Sequence, residues 1–450
     1  MNNLKEIAER TLMQRQQLPN FFGSQAVRPS YDGLGLTNVP ALALKLLGAD
    51  STTVPAYNPI LYNSNEISDA FEQLTKQSPI NHVVVLLIDA LGYDQLENQI
   101  KAGKVPNFEQ MTQNPHNFYA PITSVYPSTT TTALTSVATA RTPQEHGIMG
   151  TCNFFPDLGV SVNLIRFAAA FDSSLSISEQ HLNPDTLLPV PNIFTMLERK
   201  GIKTSQVNYY AYENSGISRF TTAGSKTKYN GYYTPADAMA TIRQLIEQLP
   251  ADGTQKSYTY AYIPTIDTTA HAYGPLQPNY EAELAAIDFS LNREILSRLQ
   301  RKDVLLIITA DHGQIHGLGN RIMWLNEHTV LTSALITPAT GESRATYLHL
   351  RNGTEVLERT RAYIEDKFNG QVAALTRNEA LDAGLFGDPQ KVPSEQCLDR
   401  IGDLVLCPLD NWQIRQRLKG VDRLNFLIGV HGGLTREEML VPFLALRLNQ

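Results

Sequence analysis

The sequence predicts an α/β protein, a three-layer α/β/α sandwich around a mainly parallel central sheet. Two unbroken apolar runs, 83–88 and 304–308, consist of leucine and β-branched residues, which is typical of strands that helices cover on both faces. Segments with strand and helix patterns alternate along the chain, and this alternation is the signature of a parallel sheet. The 450 residues, of which 42% are hydrophobic, provide ample material for a large core.

The individual elements follow from hydrophobic periodicity and from turn residues. Apolar residues at helical spacing predict helices, and Pro, Gly and Asn mark their ends. In chain order we expect helices at 1–17, 38–48, 106–113, 193–199, 280–299 and 354–368, and strands at 83–88, 121–125, 203–212, 258–264, 303–309, 345–350 and 441–446. One domain over 1–450 accounts for them, with a small inserted α+β subdomain at 340–400, where the pattern of elements changes.

Composition excludes several functional classes. The formal net charge of -7 leaves no basic surplus for binding a nucleic-acid duplex. No apolar run has the length of a membrane span, and the first residues lack the apolar core of a signal peptide. The cysteines, Cys152, Cys397 and Cys407, form no CxxC pair, which favours a reduced, cytoplasmic compartment. The oligomeric state stays open.

Side chains with metal-binding chemistry follow the ends of several predicted strands. They are Asp89, Asp267, His271, Asp311, His312 and His431. Asp267 and His271 are four residues apart, so one helical turn would place both on the same side. Taken singly, each pair also fits a helix cap or a loop histidine. Their joint occurrence after strands predicts a site for two divalent ions, with Zn²⁺ as the first choice and Mn²⁺ as the alternative.

A cluster of hydroxyl side chains lies at a predicted strand-to-helix junction. Pro127 is followed by Ser128 and then by threonines at 129–132, and small residues continue at helical spacing up to Pro143. A hydroxyl at the start of a helix lies close to backbone amides that point at an anion. The cluster is therefore a candidate nucleophile segment.

Five fragments, in this order, resemble the alkaline phosphatase superfamily, and within it the nucleotide pyrophosphatase/phosphodiesterase branch. The resemblance spans nearly the whole chain. The fragments are Ile88-Asp-Ala-Leu-Gly92, Val125-Tyr-Pro-Ser-Thr-Thr130 through Pro143-Gln-Glu-His-Gly-Ile148, Asp267 to Pro275, Ala310-Asp-His-Gly313 and His431-Gly432.

The resemblance implies a role for each of these residues. One ion would be held by Asp267, His271 and His431, and the second by Asp89, Asp311, His312 and the nucleophilic hydroxyl. Counting back from His146 without gaps places the catalytic nucleophile, also a metal ligand, at Thr130, with the register open over 128–132. A metal-bound alkoxide is a reasonable nucleophile because the cation lowers the pKa of the hydroxyl.

The chain departs from the family pattern near the nucleophile. Thr131-Thr-Ala-Leu134 replaces the Phe-Pro-Asn-His of relatives, and Thr151 stands where their oxygen-binding Asn is expected. Asn153 is therefore the candidate catalytic residue that binds a phosphoryl oxygen. Tyr209 and Tyr210 are candidate substrate contacts, because related phosphodiesterases place a base-stacking aromatic after this strand; simple packing is the alternative.

The predicted activity is metal-dependent hydrolysis of phosphodiester or pyrophosphate bonds in a small phosphorylated substrate of nucleotide type, through a phosphothreonine intermediate. A phosphomonoesterase or a phosphonate-type hydrolase of the same superfamily is the alternative. Monoesterases need additional positive groups such as a bidentate Arg, and Arg141 is the nearest one in sequence to the nucleophile. An inactive metal-binding scaffold is the non-enzymatic alternative.

Overall fold

Two seven-stranded sheets organise the computed structural model, which describes residues 2–172, 174–418 and 427–448. The strands are β1 (His82–Ile88), β2 (Phe118–Thr123), β3 (Cys152–Phe155), β4 (Val160–Asn163), β5 (Ala168–Ala169), β6 (Lys203–Tyr209), β7 (Lys228–Tyr232), β8 (Ser257–Ile263), β9 (Arg301–Thr309), β10 (Ile315–His316), β11 (Ile322–Trp324), β12 (Thr340–Glu342), β13 (Ala345–Leu348), β14 (Val372–Thr376), β15 (Leu404–Pro408), β16 (Gln413–Arg415), β17 (Gly429–Val430) and β18 (Leu440–Leu448).

The helices alternate with these strands in the first three quarters of the chain. They are α1 (Asn2–Arg15), α2 (Asn38–Leu47), α3 (Asn65–Lys76), α4 (Tyr93–Lys101), α5 (Pro106–Gln113), α6 (Thr130–Thr139), α7 (Pro143–His146), α8 (Ile193–Glu198), α9 (Gly216–Thr222), α10 (Pro235–Glu247), α11 (Thr265–Tyr273), α12 (Pro278–Leu291), α13 (Thr329–Ala334), α14 (Thr354–Lys367), α15 (Arg377–Asp382), α16 (Glu395–Arg400) and α17 (Arg436–Met439). Among the described residues, no helix is both long and apolar enough to cross a membrane.

The larger sheet confirms the predicted fold class. Its strand order is β2-β18-β9-β1-β8-β6-β7, in which β9, β1, β8, β6 and β7 run parallel and β18 is antiparallel to both neighbours. Every residue of β1 is buried, because helices cover both faces of the sheet. Helices α2, α6 and α8 pack together, and α5, α10 and α12 form a separate group. The result is an α/β/α sandwich.

The register of the central strands aligns their carboxyl ends with one another. Ile88 of β1 lies opposite Ile263 of β8, and Leu87 lies opposite Thr309 of β9. The three strands therefore end side by side, and the segments that follow them meet at one edge of the sheet. In sheets of this kind, ligands bind beyond the carboxyl ends of the strands.

The smaller sheet is wider than the subdomain predicted at 340–400. Its order is β14-β15-β13-β12-β3-β4-β5, so strands from 152–169 extend it on one side and β15 lies beyond the predicted end. Gly341 of β12 pairs with Cys152 of β3, and this pairing joins the two parts of the chain. Sequence patterns cannot reveal such a pairing, because nearly 190 residues separate the two strands.

Candidate active site

The predicted metal ligands converge at the carboxyl edge of the larger sheet. Asp89 follows β1 directly, and Asp311 and His312 follow β9. Asp267 and His271 lie one helical turn apart on α11, which begins just after β8. His431 follows β17 and completes the set. Residues from five parts of the fold thus form one cluster, since Thr130 at the start of α6 also reaches it.

One side of the cluster contains Asp267, His271 and His431. Oδ1 of Asp267 lies 3.3 Å from Nε2 of His271 and 3.7 Å from Nε2 of His431. The two imidazole Nε2 atoms are 3.2 Å apart. This is the trio that the resemblance assigns to one ion, and its donor atoms lie within 4.8 Å of one another.

The other side of the cluster contains Asp89, Asp311 and His312. Nε2 of His312 lies 3.4 Å from Oδ1 of Asp89 and 3.4 Å from Oδ2 of Asp311. The imidazole of His312 stacks on that of His431, with ring centroids 3.7 Å apart. Asp267 also lies within 4.8 Å of the donor atoms of Asp89 and His312, so the two sides adjoin.

Each of the three histidines directs the lone pair of its Nε2 atom toward the cluster. Nδ1 of His271 lies 2.7 Å from the carbonyl oxygen of Gly429, that of His312 lies 3.0 Å from Gly313 O, and that of His431 lies 3.0 Å from Ser128 O. A carbonyl oxygen only accepts hydrogen bonds, so each Nδ1 carries the proton and donates it. This is the arrangement that orients histidine as a metal ligand through Nε2.

The carboxylates lie close together in a largely buried environment, where negative charge on them is destabilised. Burial and the nearby charge of Asp311 raise the pKa of Asp89 well above its usual value, and burial raises the pKa of Asp267. Within the described part of the chain, Oδ1 of Asp89 and Oδ2 of Asp311 are buried without a hydrogen-bond partner. Buried carboxylates are normally paired or bound to metal. Oxygen and imidazole donors in this number fit two divalent ions, and they fit Zn²⁺ chemistry.

Two further side chains hold the carboxylates in place, and sequence reasoning missed both. The phenol of Tyr262, on β8, donates a hydrogen bond to Oδ2 of Asp89. Nε2 of Gln314, two residues after His312, donates to Oδ1 of Asp267. The sequence could have indicated Gln314, because it directly follows the Asp-His-Gly ligand motif. Tyr262 is indistinguishable from any other aromatic residue in a strand.

Within the hydroxyl segment, Thr130 is the residue that reaches the cluster. Its Oγ1 lies 3.3 Å from Nε2 of His312. Ser128 donates to the carbonyl oxygen of Gly433 at 2.7 Å, and Thr129 donates to Oε1 of Glu342 at 3.0 Å. Among the described residues, the hydroxyls of Thr131 and Thr132 are buried and have no hydrogen-bond partner. These contacts favour the gap-free register for the nucleophile, which stays a prediction.

Asn153 is buried and its amide is bonded within its own turn. Its Oδ1 accepts from Met149 N at 2.9 Å, and its Nδ2 donates to Gly150 O at 2.6 Å. These contacts stabilise the loop and give no support to a role of Asn153 in binding a phosphoryl oxygen. That role stays a prediction. The group that Thr151 offers near the nucleophile is its backbone amide, which donates to Oε1 of Glu342 at 2.6 Å.

Glu342 is a site residue that the sequence did not reveal. It ends β12 of the smaller sheet and accepts hydrogen bonds beside the nucleophile segment. Burial raises its pKa, and the hydrogen bonds from Thr151 and Thr129 oppose that rise. No local pattern marks it, because it belongs to the other sheet.

Tyr209 ends β6, and Tyr210 and Tyr212 follow it directly. Tyr210 is 47% exposed and packs against Tyr233, with ring centroids 4.5 Å apart. Burial and the negative charges of Asp89 and Asp267 raise the pKa of Tyr212. Tyr209 packs edge-on against Tyr210 at 4.9 Å. The predicted roles of Tyr209 and Tyr210 in substrate binding stay predictions.

The family model for type I phosphodiesterase/nucleotide pyrophosphatase matches residues 83–434. The chain belongs to this family. The match covers all six metal-ligand candidates and the hydroxyl segment, and it confirms the resemblance inferred from the sequence. The family consists of two-metal phosphoesterases, and the clustered carboxylates and imidazoles supply candidate ligands for such a pair.

Solved structures of related hydrolases share the fold of this family member. Murine ectonucleotide pyrophosphatase/phosphodiesterase 5 matches with a TM-score of 0.56 at 21% identity, over 81% of this chain and 87% of that one. Phosphonoacetate hydrolase from Sinorhizobium meliloti, in complex with phosphonoformate, matches with a TM-score of 0.59 at 18% identity, over 81% and 89% of the chains. No curated protein matches the chain. The family and its fold support phosphoester hydrolysis of the phosphodiesterase or pyrophosphatase type.

Proposed function

We propose that the protein is a two-metal phosphodiesterase that hydrolyses phosphodiester or pyrophosphate bonds in nucleotide-type substrates. The observation that carries the proposal is the convergence of three imidazole Nε2 lone pairs and three carboxylates, two of them buried, beside the hydroxyl of Thr130. Asp267, His271 and His431 would hold one ion, and Asp89, Asp311 and His312 the other. Bound there, the ions would supply Lewis-acid stabilisation of the phosphoryl oxygens and lower the pKa of the nucleophilic hydroxyl.

The protein's own groups define the covalent step. Oγ1 of Thr130 gives its proton to solvent and attacks phosphorus, the bond to the leaving oxygen breaks with its electron pair remaining on that oxygen, and a phosphothreonine forms. Water then hydrolyses that ester and regenerates Thr130. Thr130 is the first residue of α6, so the free backbone amides of the first helical turn point at the phosphoryl group. Tyr262 and Gln314 hold the carboxylates that face this group.

A diester or pyrophosphate suits the site better than a monoester. The additional charge of a monoester calls for a further cation near the phosphoryl group. Arg141 lies beyond the C-terminal end of α6, and the ten-residue helix puts about 15 Å between that end and Thr130. Arg344 is buried in an ion pair with Glu438 at 2.7 Å. Neither guanidinium serves as that cation, and the guanidinium of Arg415, in a groove beside Thr151 and Glu342, donates to Oε1 of Gln413.

The nucleotide part of the proposal draws on two supports. A solved complex of an inactive form of murine ectonucleotide pyrophosphatase/phosphodiesterase 5 contains AMP; it matches this chain at 20% identity with a TM-score of 0.55. In this chain the half-exposed ring of Tyr210 and the ring of Tyr212 offer faces on which a base can stack near the cluster. We also propose a cytoplasmic location, because Cys152, Cys397 and Cys407 are free thiols.

A panel of chromogenic substrates tests the proposed function. Protein reloaded with Zn²⁺ or with Mn²⁺ after chelation is assayed with bis-p-nitrophenyl phosphate, p-nitrophenyl thymidine 5′-phosphate, p-nitrophenyl phosphate and phosphonoacetate. We expect the two diesters to be the better substrates. Preferential turnover of the monoester or of phosphonoacetate would favour the other superfamily activities, and metal binding without any turnover would favour the inactive scaffold.

A further inference from the structure

A carboxylate from the smaller sheet lies beside the proposed nucleophile segment. Oε1 of Glu342 accepts a hydrogen bond of 3.0 Å from Oγ1 of Thr129 and one of 2.6 Å from the backbone amide of Thr151. Thr129 immediately precedes the proposed nucleophile, and Thr151 stands at the position expected to bind a phosphoryl oxygen. A phosphoryl oxygen is also an anionic acceptor, so Oε1 engages two donors that a phosphoryl oxygen could otherwise use.

The hairpin that carries Glu342 is firmly anchored. Arg344, two residues further on, is fully buried and donates to Glu438 through Nε at 3.0 Å and Nη2 at 2.7 Å. Glu438 in turn accepts from the amide of Gly433 at 2.8 Å. A Cβ at Gly432 would lie 3.2 Å from Cβ of Glu342, so the loop of His431 packs directly against this side chain. The carboxylate is therefore held beside the nucleophile rather than left to swing in solvent.

The three equatorial groups on phosphorus distinguish the two substrate classes. During an in-line displacement, a diester has two anionic terminal oxygens and one neutral ester oxygen, whereas a monoester has three terminal oxygens. With the amide of Thr151 and the hydroxyl of Thr129 already bonded to Glu342, a third anionic oxygen would lack these donors and would face a carboxylate. Like charges placed together in this way repel each other and weaken binding.

Space for a neutral ester group opens beside the same residues. A groove of about 280 Å³ is lined by Thr151 and Glu342 at one part of its wall and by Arg415 and Gln416 at another. An ester substituent can extend into this groove without presenting charge to Glu342.

We infer that Glu342 is a specificity-determining residue that selects phosphodiesters by excluding a third anionic phosphoryl oxygen. The inference rests on the proposed phosphodiesterase function and adds the residue that sets its diester preference. Glu342→Gln isolates the charge, because the amide keeps an oxygen that can accept from Thr129 and Thr151.

Binding to the metal-loaded protein tests the inference independently of turnover. Calorimetric titration with inorganic phosphate should give a dissociation constant about tenfold or more lower for Glu342→Gln than for the wild type. Dimethyl phosphate, which has two terminal oxygens, should bind both proteins equally. Glu213→Gln is the matched control, because this exposed acid follows Tyr212 in sequence, whereas Thr129 and Thr151 donate their hydrogen bonds to Glu342. Its phosphate affinity should equal that of the wild type.

Turnover provides the second readout. The ratio of kcat/KM for p-nitrophenyl phosphate to kcat/KM for bis-p-nitrophenyl phosphate should rise about tenfold or more in Glu342→Gln and stay unchanged in Glu213→Gln. An unchanged ratio, or equal losses with both substrates, would overturn the inference and leave Glu342 a structural residue. If the wild type turned over no phosphate ester, the proposed function would fail, while the phosphate titration would still decide the role of Glu342.

Discussion

His271 and His431 face each other across 3.2 Å through their Nε2 atoms, although neither nitrogen carries a proton when Nδ1 donates to a backbone carbonyl. Burial and the nearby imidazoles His312 and His271 hold the pKa of His431 well below its usual value, which disfavours the doubly protonated imidazolium. Two lone pairs at this distance repel unless a cation lies beside both. The pair is thus the clearest structural reason to expect a metal.

The first prediction concerns metal content. We expect about two transition-metal ions per chain, measured by mass spectrometry of the purified protein, because two adjoining sets of donors are present. His271→Ala should reduce the content to about one ion, since Asp89, Asp311 and His312 remain. A wild-type protein without bound metal, with activity indifferent to chelators, would contradict the two-metal assignment.

The second prediction separates ligands from neighbouring histidines. Asp89→Asn, Asp311→Asn and His431→Ala should each lower kcat/KM by about 100-fold or more, because the transition state loses charge neutralisation. His316→Ala is the control: His316 is exposed, and its contact with Asn411 is made by its backbone oxygen. Equal damage from His316→Ala and His431→Ala would show that the ligand assignment is wrong.

The third prediction tests the support of Asp89 by Tyr262. Tyr262→Phe removes the phenol that donates to Oδ2 of Asp89 and should weaken metal affinity or activity about 10- to 100-fold. Tyr260→Phe is a matched control on the same strand, because in the described part of the chain the buried hydroxyl of Tyr260 has no hydrogen-bond partner. Competition with a metal chelator measures the affinities. Equal effects of both substitutions would show that the hydrogen bond from Tyr262 to Asp89 does not support metal binding.

Some residues of this site could be predicted from the sequence and others could not, for a physical reason. Asp89 and Asp311 could be inferred because parallel strands in register bring their carboxyl ends together, and that register follows from continuous apolar runs. Glu342 could not, because β12 joins the site through pairing with β3, far away in sequence. The amide of Asn153 turns into its own loop, and nothing in its sequence neighbourhood distinguishes that conformation from one facing a substrate.

The fourth prediction concerns pH and His146, which lies behind the nucleophile helix. Its Nδ1 accepts from Ile148 N at 3.0 Å, so Nε2 donates to Ser136 of α6 at 2.8 Å. Burial, aided by the charge of Arg400, lowers the pKa of His146 to about 3. Because the unfolded chain takes up this proton near pH 6.5 and the folded chain does not, the stability that neutral His146 gives is present above pH 6.5 and declines as the pH falls toward about 3.

Urea unfolding of metal-free protein between pH 8 and pH 4 measures this effect. His146→Gln cannot titrate, so its free energy of unfolding should fall less steeply below about pH 6.5 than that of the wild type. Using metal-free protein for both removes the contribution of metal release. Parallel curves for the two proteins would show that His146 is already charged in the folded state.

The last prediction concerns the nucleophile, for which the hydroxyls at 129–131 are sequence neighbours with different surroundings. Thr130 lies 3.3 Å from His312, whereas Thr131 is buried and its hydroxyl has no partner among the described residues. Valine has the shape of threonine without the hydroxyl, so Thr130→Val and Thr131→Val remove the same group from adjacent positions. Thr130→Val should lose nearly all turnover and retain both metals through the six protein ligands. Thr131→Val should keep most of the activity, since it deletes an unpaired hydroxyl.

Thr130→Ser should retain part of the turnover, because the attacking oxygen survives and only a methyl group is lost. Trapping the enzyme with a slow substrate and sequencing the phosphorylated peptide identifies the residue directly. Phosphate on Thr130 would agree with its contact to His312. Phosphate on Ser128 or Thr129 would instead mean that the bonds of these residues to Gly433 and Glu342 break during turnover, and the register would shift while the paired metal sites stay as they are.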